Sequence, residues 1–112
     1  MKIAFSTQSD TSDAAADPKF GRAKWFCLFD TENQEKEFIA NDAGSAKRGA
    51  GVQAGQLMAE KEVKAVVSGH FGPNAFEVLT AANIEMFLLP ENYSVNLEEA
   101  IQLFQNNELR KQ

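Results

Sequence analysis

The chain has 112 residues, 44% of them apolar and 24% charged, with eleven basic against sixteen acidic side chains and a net charge of −5. That length suits one domain spanning residues 1–112 with a core that needs no staples, and the composition excludes disorder, a collagen-like repeat and a disulfide scaffold. The single cysteine closes no intramolecular disulfide, which fits a reducing cytoplasm.

Lys2 to Ser6 reads as a short apolar strand, with no signal-peptide organisation before it. Residues 7–22 form a long polar connection punctuated by Pro18 and Gly21, and loops of this length in small domains are often functional. Lys24 to Asp30 and Glu35 to Asn41 follow as two strands, joined by a turn short enough for an antiparallel hairpin. After a second polar connection, 42–48, the spacing of Ala50, Ala54, Leu57 and Met58 predicts a helix. Gly49, Gly51 and Gly55 weaken that helix by about 1 kcal/mol each relative to alanine, a cost consistent with close backbone approach.

Val63 to Ser68 is the fourth strand, residues 73–82 the second helix, and Ile84 to Leu89 the fifth strand. Pro73 suits the first helical position, and Asn83 tolerates the left-handed conformation that ends a helix. The last helix starts near Asn96, which forms an Asn-x-x-Glu capping box with Glu99 and precedes the stripe Leu97, Ala100, Ile101 and Phe104. The order is β-β-β-α-β-α-β-α, an α/β chain with a mixed five-stranded sheet.

If the first three strands form a meander and the later ones join through helices, strands one, three, four and five end on one rim. The loops 7–22, 42–49 and 69–72 then converge there, where open α/β sheets commonly bind ligands. The only histidine, His70, sits on that rim in Ser68-Gly69-His70-Phe71-Gly72-Pro73-Asn74-Ala75, between a strand and a helix start. Backbone N–H groups at a helix start attract anions and an imidazole binds metals, so the pattern points to an anionic or metal-bearing ligand.

The ordered set Asp17-Pro18-Lys19-Phe20-Gly21-Arg22-Ala23, the strand Trp25 to Asp30, Asn41, Gly49-Ala50-Gly51 and the His70 segment resembles the dinitrogenase iron-molybdenum cofactor biosynthesis family. That family includes NifX, the carboxy-terminal part of NifB and small stand-alone proteins. The resemblance covers nearly the whole chain. It implies a ribonuclease H-like fold and, for some members, binding of iron–molybdenum–sulfur cofactors or their precursors. It marks Lys19, Phe20, Gly21, Arg22, Asn41, Gly69, His70, Gly72 and Asn74 as the cofactor-binding set. One departure is Lys19, which stands where several cofactor-binding members carry a histidine. A lysine attracts an anionic cluster without ligating it, which leaves His70 or Cys27 as the metal ligand.

The expected function is therefore a cytoplasmic carrier or scaffold for an anionic iron/molybdenum–sulfur cofactor, with a cofactor-assembly protein as partner. The alternative is a metal-free regulatory or protein-interaction domain that uses the same rim, a reading that Lys19 favours. Other classes fit poorly. The basic residues are scattered rather than arranged in a stripe that would follow nucleic acid, and the apolar run from Met86 to Leu89 is far too short to cross a bilayer. Two-metal nuclease chemistry needs clustered carboxylates that the first strand lacks, and Ser68 with His70 forms no nucleophile elbow. Cys27 has a plain structural role available as a buried apolar residue, as Phe20 has as a loop anchor.

Overall fold

The computed structural model describes residues 1–112. Its strands are β1 (Lys2–Thr7), β2 (Trp25–Asp30), β3 (Lys36–Ala40), β4 (Ala65–Ser68), β5 (Glu85–Leu88) and β6 (Arg110–Lys111); its helices are α1 (Ala50–Glu60), α2 (Pro73–Ala81) and α3 (Leu97–Gln105). A 3-10 turn, Asp42–Ser45, lies between β3 and α1. The sheet runs β3-β2-β1-β4-β5-β6. β1 pairs parallel with β4, and β4 with β5, whereas β2 and β6 run antiparallel to their neighbours. The C-terminal ends of β1, β3, β4 and β5 therefore share one rim.

The sheet has six strands, which corrects the expected five. β6 is two exposed, charged residues at an edge, and its antiparallel pairing with Phe87 and Leu88 carries no hydrophobic period that a sequence could display. Lys111 pairs with Glu85 across the same edge.

Register distributes the core over both faces. Along β2, Phe26 and Leu28 face α1 and α2 together with Ala4, Val66 and Met86, while Cys27 and Phe29 face α3 together with Ile3, Phe5, Ala65 and Val67. β1, at the centre, is buried from Ile3 through Thr7, as a strand covered on both sides requires. The helices α1 and α2 approach closely through small residues. A Cβ on Gly51 would lie 3.2 Å from the Ala75 Cβ, and one on Gly55 would lie 2.9 Å from Val78 Cγ1. This contact brings the first turns of the two helices together at the rim. On the other face α3 carries its own cap: Glu99 N–H donates to Asn96 Oδ1 at 2.9 Å, and Asn96 N–H donates to Glu99 Oε1 at 3.1 Å.

Candidate functional site

The segment 15–20 crosses the ends of β1 and β4 and is stitched down by buried hydroxyls. Ser6 Oγ donates to Asp17 O at 2.6 Å, and the Ser68 hydroxyl lies 2.8 Å from Ser6 Oγ. Asp17 Oδ1 accepts from Lys19 N–H at 2.9 Å, turning the chain so that Lys19 and His70 form a parallel bridge, with Phe20 N–H donating to His70 O at 3.2 Å. Gly69 is required here by contact, because a Cβ would sit 2.7 Å from Pro18 O. The result is an exposed lysine and an exposed histidine side by side on the rim.

Behind this pair lies a cavity of about 320 Å³. Lys19, Gly21, Arg22 and His70 line it, together with the first turns of α1 (Gly49 to Val52) and α2 (Gly72 to Ala75). Both helices have glycine at the N-cap, no side-chain cap and no acidic residue in the first turn. The N–H groups of Ala50, Gly51, Val52, Asn74 and Ala75 bond to no other group of the chain. Unpaired N–H groups and the positive ends of two helix dipoles thus converge on one space. A larger cavity of about 770 Å³, between segments 15–19 and 89–95, shares Lys19 and His70 as a common wall and adds Gly69.

Charge follows the same geometry. Segments 18–24, 43–52 and 69–76 contain no Asp or Glu but hold Lys19, Arg22, Lys24, Lys47 and Arg48, leaving six basic residues against all sixteen acids elsewhere. None of those five cations is in an ion pair; the four ion pairs of the molecule use other groups. The rim is locally cationic on a chain that is acidic overall.

The residues singled out from sequence divide into three groups. Lys19, Gly21, Arg22, His70, Gly72 and Asn74 come together on the cavity. Phe20 also reaches the cavity wall, but its ring is buried 5.4 Å from Phe26 and 5.2 Å from Phe71; Asn41 stands behind it, its Nδ2 donating to Gly21 O at 3.2 Å and Ala23 O at 2.8 Å. Both hold the loop. Cys27 lies apart, fully buried on the α3 face. Burial pushes its thiol up to about 12, with Lys36 lowering it and Glu98 raising it by smaller amounts. The structure thus places Cys27 on the opposite face of the sheet from the cavity and does not bring it together with His70 on that lining.

No group of three His, Cys, Asp or Glu side chains is placed to hold a bare metal ion. What the cavity offers instead is unpaired backbone N–H groups and unpaired cations, a lining whose chemistry suits an anion. Gly72 is informative in this respect. A Cβ at Gly51 or Gly21 meets neighbouring atoms at 3.0–3.2 Å and Gly49 has φ +73°, whereas a Cβ at Gly72 meets nothing within 4 Å. The fold does not require glycine there, and the missing side chain leaves the α2 amides open to the cavity.

Comparison with known proteins identifies the family and the fold. A model of the dinitrogenase iron-molybdenum cofactor family matches residues 1–107. An uncharacterised protein of Methanocaldococcus jannaschii is 30% identical over 99% of this chain and 91% of its own length. The apo form of the orange protein from Desulfovibrio gigas superimposes with a TM-score of 0.92 at 28% identity, covering 99% of this chain and 92% of that one. A NifB-like protein from Thermotoga gives 0.85 at 26% identity, over 98% and 91%. No helix is long and apolar enough to cross a membrane. The chain belongs to the dinitrogenase iron-molybdenum cofactor family.

Proposed function

We propose that this protein is a non-catalytic cytoplasmic carrier that holds an anionic iron/molybdenum–sulfur cofactor or precursor in the cavity between the α1 and α2 N-termini. The observation that carries this is the convergence of two uncapped helix ends on an acid-free cavity beside His70. The N–H groups of both helix ends hydrogen-bond the sulfides of the cargo, Lys19 balances its charge, and His70 supplies the protein's one metal ligand. Gly69, Phe20, Asn41 and Arg22 shape the loops that present these groups. The ribonuclease H-like label is supported by the order β3-β2-β1-β4-β5 with β2 alone reversed among those five.

A second reading, a metal-free domain that recognises a partner through the same rim, draws support from Lys24, Lys47 and Arg48. These stand on the acid-free segments without lining the cavity. In a carrier they suit docking of an acidic cofactor-assembly protein.

The test is anaerobic titration with tetrathiomolybdate, and with iron, molybdate and sulfide together, followed by metal analysis per chain. The carrier reading expects near-stoichiometric molybdenum on wild type and clearly less on His70→Ala. Equal retention by His70→Ala removes the histidine from the ligand role. No uptake by wild type shifts the function to the metal-free reading.

A further inference from the structure

We infer that Arg22 is a positioning residue, whose guanidinium fixes the segment that delivers the first turn of α1 and so sets the α1 half of the anion cradle. This rests on the anion-binding reading above. Arg22 lines the cavity, yet Nη1 donates to Gly44 O at 3.3 Å and to Ala46 O, carbonyls in and just after the 3-10 turn that precedes α1. It is one part of a lace between residues 21–24 and 41–46. Asn41 N–H donates to Lys24 O at 3.0 Å, and its Nδ2 is shared by the carbonyls of Gly21 and Ala23. Gly44 lies so close that a Cβ would come within 2.8 Å of Ala23 O.

The lace continues into the cradle. Gly21, whose own carbonyl accepts from Asn41, packs on α1 with room for no Cβ, since one would lie 3.0 Å from both Gly51 N and Gly51 Cα. The position of the Gly51 amide is therefore tied to the Gly21 backbone on one side and to the segment leading through Gly49 on the other. Asn41 Oδ1 is a buried side-chain atom without a partner, because the two carbonyls fix the amide with its nitrogen toward them. An unpaired oxygen is retained where the nitrogen is needed, which marks the lace as a constraint on backbone position. α2 has no side-chain lace of this kind: its first turn follows Gly72 and Pro73 and meets α1 only through the Gly51–Ala75 contact.

Two substitutions that keep every charge test this. Arg22→Lys preserves the cation but loses the planar fork; Gly44→Ala leaves Arg22 in place and pushes the segments apart. Both are expected to bind tetrathiomolybdate roughly tenfold more weakly, the scale typical of groups that orient ligands. Ionic-strength dependence should remain as in wild type, because no charge is lost. In the ligand-free proteins the amide NMR shifts of Ala50, Gly51 and Val52 should move clearly more than those of Asn74 and of Ala75, which feels α1 only through its contact with Gly51. Should one variant fail to unfold cooperatively, the other carries the test. Wild-type affinity in either folded variant, or amide shifts spread equally over α1 and α2, overturns the inference. If wild type itself binds no thiomolybdate the carrier reading fails, and the amide contrast still decides whether Arg22 positions α1.

Discussion

The two faces of the sheet treat their helix ends in opposite ways. On the α3 face Asn96 and Glu99 satisfy each other's backbone, Glu98 and Glu99 stand in the first turn, and Cys27 lies sealed beneath. On the other face α1 and α2 begin at glycines, carry no acid and leave their first N–H groups without partners. Capping a helix with a polar side chain contributes about 1 kcal/mol, and a chain that makes one complete capping box has the means to make three. Stability from capping is withheld at the cavity that holds Lys19 and His70.

The most severe way to break this comparison is to give α2 what α3 has. Asn74→Asp adds a carboxylate to the first turn of α2, where it favours the helix dipole by about 0.3–1 kcal/mol. Placed about 4 Å from an anionic occupant, it opposes binding by about 4 kcal/mol at an effective dielectric of 20. The variant should melt at or above the wild-type temperature while losing at least about a hundredfold in thiomolybdate affinity. A change of the same sign in both measurements breaks the account.

Gly72→Val tests the empty space over the α2 amides. Its φ of −68° and ψ of 168° suit any residue and a Cβ meets nothing, so stability should change by less than about 0.5 kcal/mol. Binding should weaken by about tenfold, a loss of about 1.4 kcal/mol. Unchanged binding moves the occupant away from α2.

The reverse control is Asn96→Ala on α3, expected to lower stability in urea unfolding by about 1 kcal/mol and to leave affinity unmoved. The smallest effect near neutrality belongs to Cys27. A thiol raised to about 12 in the folded protein is protonated where an unfolded thiol ionises near 9, so its contribution is intact below pH 9 and is lost as pH rises toward 12. Wild type should therefore lose more stability than Cys27→Ala over that window, and its thiol should resist disulfide reagents at pH 8 until the chain unfolds.

The legible part of this molecule was local. Hydrophobic period located β1 to β5 and the three helices, Pro73 marked the start of α2, and the Asn96–Glu99 pair marked α3. Strand direction then followed from connection length, which is why the rim and its convergent loops were foreseeable. β6 was not legible, because two charged edge residues carry no period. Arg22 and Asn41 read as ligand contacts, because their carbonyl partners lie about twenty residues away and no spacing announces a lace between two loops. Cys27 read as a candidate ligand, because the face a strand residue takes is settled by register against its neighbours and not by composition.

The most direct test is an anaerobic titration of the isotope-labelled protein with tetrathiomolybdate, followed by amide NMR. An anion held between the two open helix ends should give saturable shifts at Ala50 to Val52, Asn74, Ala75 and His70, with the amides of Leu97 to Glu99 unmoved. Saturable shifts centred on α3, or an absence of shifts at both open helix ends, would contradict it.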